Sequence, residues 1–197
     1  MEGTNPVNKK LAAVLSGGAV LVLALSGCSS SDDGDKKLDD WAKKVCDTAV
    51  GPQSKKIADA NAAIKKQTAD NSSPDEVKST DSKAFGDISA AYAQRSAALK
   101  KAGAPPTDDG EKKLNDAVKE LDGLSKSYAD LKTQTDKLDT KDQSAFADDL
   151  AKIAEELGKL SQSENTAQKK LEAGDVGKAM REQDSCKTAA ASPKAKS

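Results

Sequence analysis

Any chemistry in this chain has to come from three cysteines, an arginine-poor set of cations and a large number of carboxylates, because the 197 residues include no histidine. Without imidazole there is no Ser-His or Cys-His nucleophile pair and no usual nitrogen ligand for zinc or copper. Glycine-rich phosphate loops, GxSxG elbows and dinucleotide fingerprints are also missing. The carboxylate pairs Asp148-Asp149 and Glu155-Glu156 are sequence neighbours. Adjacent residues on a helix point in different directions, so these read as solvated faces rather than acid-base dyads. Asp32, Asp33 and Asp35 hint at a calcium loop, but they lack the ligand count and terminal glutamate of an EF-hand. These residues point away from the common catalytic classes: no enzyme activity, metal or cofactor is expected.

One cysteine sits at a distinctive place, in Leu25-Ser26-Gly27-Cys28. Before it come Lys9 and Lys10, an almost wholly apolar stretch from Leu11 to Leu25, and the small residues Ser26 and Gly27, the three parts of a secretory signal. A single-pass helix is the competing reading. A span wants about 20 consecutive apolar residues, whereas this core is shorter and broken by Ser16, Gly17 and Gly18. The four residues resemble the lipobox of bacterial lipoproteins. That resemblance implies cleavage before Cys28, lipid (palmitate-type acyl chains) on its sulfur, and residence on the outer face of the plasma membrane. Two or three acyl chains, at about 0.8 kcal/mol per buried methylene, would anchor stably where one is marginal. The Ala-, Lys- and Asp-rich remainder, with a cysteine near each end, is similar to the small lipoproteins of actinobacteria, a resemblance that implies location and no activity.

With Cys28 assigned to lipid by that resemblance, Cys46 and Cys186 remain, an even pair in an oxidising compartment, and a disulfide between them is expected. It would close a loop of about 140 residues, for which the chain-entropy model gives at most ~5 kcal/mol. Removing the first 27 of 197 residues leaves 170, a size for one domain with one core. The formal charge of −1 loses Glu2, Lys9 and Lys10 with them and falls to about −2, which argues against nucleic acid as a partner. Aromatics are 3% of the chain and charged residues 32%, so the core must be aliphatic, a composition that suits packed helices.

The elements that would position these cysteines follow from apolar spacing. Residues 29–37, SSSDDGDKK, have no apolar side chain and read as a flexible tether. Leu38, Trp41, Val45 and Ala49 recur at three and four residues, and Gly51-Pro52 is expected to break this helix from a second piece carrying Ile57, Ala60 and Ile64. Trp41 reads as a core anchor. Ser73-Pro74-Asp75-Glu76 is a capping box with proline at the first helical position, opening a helix to about Ala102. Asp108 with Glu111 and Thr140 with Gln143 repeat the cap logic. They precede stripes from Leu114 to Leu138 and from Phe146 to Leu171, the first spaced three and four throughout. A shorter helix or ordered tail from Asp175 to about Ala190 completes the chain. The expectation is therefore an all-α fold, an up-down-up-down antiparallel four-helix bundle over 38–190, with a signal at 1–27, an anchor and tether at 28–37, and a disordered tail at 191–197. In that topology the end of the fourth helix lies beside the start of the first, where Cys46 and Cys186 would meet.

Two irregularities interrupt the stripes. Arg95 and Glu164 occupy core-stripe positions at similar distances from the starts of helices expected to run parallel, which suggests a buried ion pair; escape of both long side chains to water is the alternative. Gly86, Gly123 and Gly158 fall near the middle of three helices, which suggests close helix approach or a pocket; tolerated surface glycines are the alternative. The function expected is a non-enzymatic module, tethered to the membrane through Cys28, that binds or positions an envelope protein. The alternative is a carrier or sensor of a small apolar ligand held between helices.

Overall fold

The computed structural model describes residues 29–69, 72–171 and 173–191, and every regular element among them is helical. The elements are α1 (Ser29–Val45), a π-helical turn (Cys46–Val50), α2 (Gly51–Ala69), α3 (Pro74–Ala102), α4 (Gly110–Asp136), α5 (Gln143–Leu171), α6 (Gly174–Glu182) and α7 (Asp184–Ala191). The signal, Cys28 and the tail after Ala191 lie outside the described residues.

Helix starts follow local chemistry. At α3 the Ser73 amide donates to Glu76 Oε2 (2.8 Å) while Ser73 Oγ accepts from the Glu76 amide (3.4 Å), with Pro74 first in the helix. The other two starts differ from expectation. The residue before α4 is Asp109, whose carboxylate takes Lys113 (2.9 Å) and the Thr107 hydroxyl rather than a backbone amide. At α5 the cap is Asp142, whose Oδ1 accepts from the amides of Ser144 (3.1 Å) and Ala145 (3.0 Å). At α5 the aspartate next to the first turn displaces the more distant Thr140, because the adjacent side chain lies within reach of the free amides, whereas α4 starts without a side-chain cap.

Gly51-Pro52 does not break the first helix as expected. Proline removes an amide donor and its ring crowds the carbonyl four residues back. The chain accommodates this by widening into the π-helical turn between α1 and α2, with the Gly51 amide bonded to the Cys46 carbonyl. Residues 29–37 also differ from the flexible tether expected of them. They form the first turns of α1, with 33–37 exposed and Leu38 the first buried side chain. Acidic side chains at Asp33 and Asp35 near a helix N-terminus suit the peptide dipole, and the packed turns that follow supply the nucleus from which the helix extends.

Helices α3 and α4 run antiparallel: Lys78 near the start of α3 reaches the Leu138 carbonyl past the end of α4 (2.8 Å), and Lys100 near the end of α3 pairs with Asp122 (3.0 Å). The core is continuous across the elements. Leu38, Trp41, Ala42, Val45 and Ala49 pack with Phe85, Ile88, Leu99, Leu131, Val176 and Met180 in one cluster. Tyr128 of α4 lies 5.8 Å from the Tyr92 ring and 6.2 Å from that of Phe85, so three of the five aromatic rings are gathered at one level. Trp41 is buried as expected of an anchor, and its indole N–H donates to the Gly103 carbonyl at 2.8 Å, tying α1 to the end of α3.

Candidate functional site

Cys46 and Cys186 lie at bonding distance, with sulfurs 2.00 Å and Cα atoms 5.2 Å apart. What brings them together is the π-helical turn. Gly51 at its end lets α7 approach: a Cβ there would stand 3.3 Å from Ser185 Cβ and 3.1 Å from the Cys46 carbonyl oxygen. The Ser185 hydroxyl donates to Asp47 at 2.6 Å beside the bridge. Gly174, with φ +68°, takes the left-handed turn that folds α6 back after α5.

Arg95 is placed by the same turn. Its guanidinium donates to the carbonyls of Ala49 and Val50 (3.3 Å each) and to Ser54 Oγ (2.6 Å), and lies 6.0 Å from the Tyr92 ring centroid. A planar five-donor fork suits several backbone acceptors at once, which accounts for an arginine on a core stripe. The side chain of Glu164, the partner expected from sequence, lies outside the described residues. The three mid-helix glycines do not mark close approach: a Cβ on Gly123 or Gly158 would meet nothing within 4 Å, and on Gly86 only the Lys132 side chain at 3.4 Å.

An apolar groove forms elsewhere. Helix α2 packs on α3, and α5 packs mainly on α4, so α2 and α5 face each other with little direct contact. Between them lies a cavity of about 340 Å³, walled by Ile64 of α2, Val77 and Phe85 of α3, and Leu150, Ile153 and Leu157 of α5. Two polar side chains enter this wall. Gln67 Nε2 donates to Asp81 Oδ1, and both residues are nearly buried, at 8% and 6% exposure. Gln67 Oε1 is buried with no hydrogen-bond partner among the described residues. Burial pushes the Asp81 carboxyl above its ordinary range, with the Gln67 bond acting in the opposite sense.

By their spacing Ile64 and Leu157 belong to apolar stripes, whereas neither Gln67 nor Asp81 matches any motif. The signal was present: Gln67 lies three residues after Ile64 and Asp81 four after Val77, so each puts a polar group on an apolar stripe. A second, more polar groove of about 480 Å³ runs between α4 and α5, lined by Glu120, Gly123, Ser127, Lys159 and Gln162 among others. No group of three or more metal-ligating side chains gathers among the described residues, and no described helix is long and apolar enough to cross a membrane. No protein-family model matches the chain, and neither does any curated protein or solved structure.

Proposed function

We propose that the protein is a non-enzymatic binding module, lipid-anchored through Cys28 on the outer face of the plasma membrane, that holds a small, largely apolar ligand between its helices. In this reading the four long helices form an up-down-up-down bundle left open between α2 and α5. The observation that carries the ligand reading is the 340 Å³ groove, whose apolar walls end at the buried Gln67–Asp81 pair. Pockets that are mostly apolar with a few placed polar groups are the usual form of small-molecule sites. The anchor rests on Leu25-Ser26-Gly27-Cys28 and the apolar segment before it, and the Cys46–Cys186 bridge suits an oxidising compartment outside the cytoplasm. The test is thermal unfolding of the full chain with and without an extract of cell lipids and metabolites. A bound ligand raises the melting temperature, by an amount equivalent to about 2.7 kcal/mol at a hundredfold excess over Kd. An unchanged melting temperature across extracts sinks the ligand reading.

A second reading, a module that positions another envelope protein, draws on the polar groove between α4 and α5, whose mixed lining resembles the rim of a protein interface. Crosslinking on intact cells, with Cys28→Ala as the untethered control, separates the two: one envelope protein captured only with Cys28 intact favours this reading.

A further inference from the structure

We infer that the groove between α2, α3 and α5 selects an amphiphilic amine, with an alkyl or aryl body along Ile64, Val77, Phe85 and Leu157 and an ammonium head at Asp81 and Gln67. The inference rests on the ligand reading above and names its ligand class. The argument starts from what the two polar side chains leave unmet. An amide facing a carboxylate must turn its NH₂ toward it, since oxygen against oxygen repels; the bond from Gln67 Nε2 to Asp81 Oδ1 therefore fixes the amide's orientation. That orientation points Oε1 away from Asp81, and there it has no partner among the described residues. Asp81 receives this one side-chain hydrogen bond, and among the described residues no lysine or arginine forms an ion pair with it. The polar end of the groove thus sets a withdrawn carboxylate beside a buried amide oxygen.

Three ligand chemistries fit such an end unequally. A fatty acid or phosphate ester would set its own charge against Asp81. A plain hydrocarbon would cover the carboxylate and leave it without a counter-charge, a costly arrangement in a place cut off from water. An ammonium supplies several hydrogen-bond donors and the opposite charge, so it meets the carboxylate that the other two chemistries leave unpaired. The raised proton affinity of the Asp81 carboxyl is the mark of a buried acid lacking that cation.

The test is calorimetric titration of the full chain with three probes that share one tail: n-octylamine, n-octanol and n-octanoate. Octylammonium is expected to bind about tenfold or more tightly than octanoate. Asp81→Asn, which keeps the shape of the side chain, is expected to reduce octylammonium affinity about tenfold while leaving octanol within about twofold. Ala154→Trp, at an exposed position on the groove wall, is expected to abolish binding of all three, with melting curves confirming that each variant is folded. Equal binding of octanoate and octylammonium, or an Asp81→Asn variant that binds octylammonium normally, overturns the amine inference and leaves the ligand groove standing. Failure of every probe to bind the wild-type chain overturns the inference, while ligand binding as such is decided separately by the extract experiment.

Discussion

The two ends of α3 solve opposite problems. Near its C-terminal end, Arg95 meets the carbonyls of the π-helical turn, Trp41 donates to Gly103 and a disulfide crosses from that turn to α7. Near its N-terminal end, Asp81 and Gln67 share one bond, Gln67 Oε1 has no partner among the described residues, and the wall beside them is open between α2 and α5. Polar groups withdrawn from water are normally satisfied, because leaving one unpaired costs about 1–3 kcal/mol. Buried acceptors without a partner among the described residues occur at both ends, Gln53 Oε1 just after the turn and Gln67 Oε1 beside Asp81, so what sets the N-terminal end apart is a withdrawn carboxylate next to an open apolar groove.

The comparison breaks most sharply at the bridge. Cys46→Ser, or reduction of the wild type, is expected to cost up to ~5 kcal/mol and lower the melting temperature by on the order of 10 °C. A loss of under a degree would mean that the turn and α7 hold each other without it. Arg95→Met comes next, at about 2–3 kcal/mol by denaturant unfolding, since it strips several charge-assisted bonds from the turn. Substituting Ser73 by alanine removes a cap at the other end and is expected to cost about 1 kcal/mol. Lys126→Ala, by contrast, breaks an exposed i,i+4 pair with Asp130 and should change stability by less than ~0.5 kcal/mol.

The aspartates at the two ends also shift in opposite senses, which gives the comparison a pH signature. The Ser185 hydroxyl and then Lys43 hold Asp47 below its ordinary value of 3.8, so its contribution is present above that pH and fades as the pH falls through the lowered value. Burial raises Asp81 above 3.8, so the folded protein binds its proton more tightly than the unfolded chain does. That contribution is full below 3.8 and is lost as the pH rises through the raised value. Asp81→Asn should therefore remove a downward slope of stability with pH, and Asp47→Asn an upward one at more acid pH. Melting curves collected across the acid range decide both; parallel profiles for wild type and Asp81→Asn would show the Asp81 environment to be wrong.

How far the sequence carried differs between these ends for physical reasons. Cysteine parity pointed to Cys46 and Cys186, and the three-four spacings placed the long helices, since both signals are local or countable. Arg95 was visible as a charge on an apolar stripe, but its partners were sought among carboxylates. Backbone carbonyls beside a π-helical turn have no side-chain signature, so Ala49 and Val50 gave no cue. The groove was hidden for a different reason: a stripe residue facing an opening has the same spacing as one facing a neighbour. Leu150 and Leu157 read as core and do pack half-buried against it, yet they also line a wall, because the separation of α2 from α5 depends on how α5 leans on α4, which no single helix encodes.

The position of the bridge has a mechanical consequence. A pull between the N-terminal end of α1 and the tail after α7 follows the covalent chain to Cys46, crosses the sulfurs to Cys186 and leaves. The 140 residues of chain separation between them, with α2 to α6 and the groove, hang as a closed side loop that such a pull does not stretch. Reduction would put those helices in series with the tension, and the groove would then feel whatever tugs on the ends.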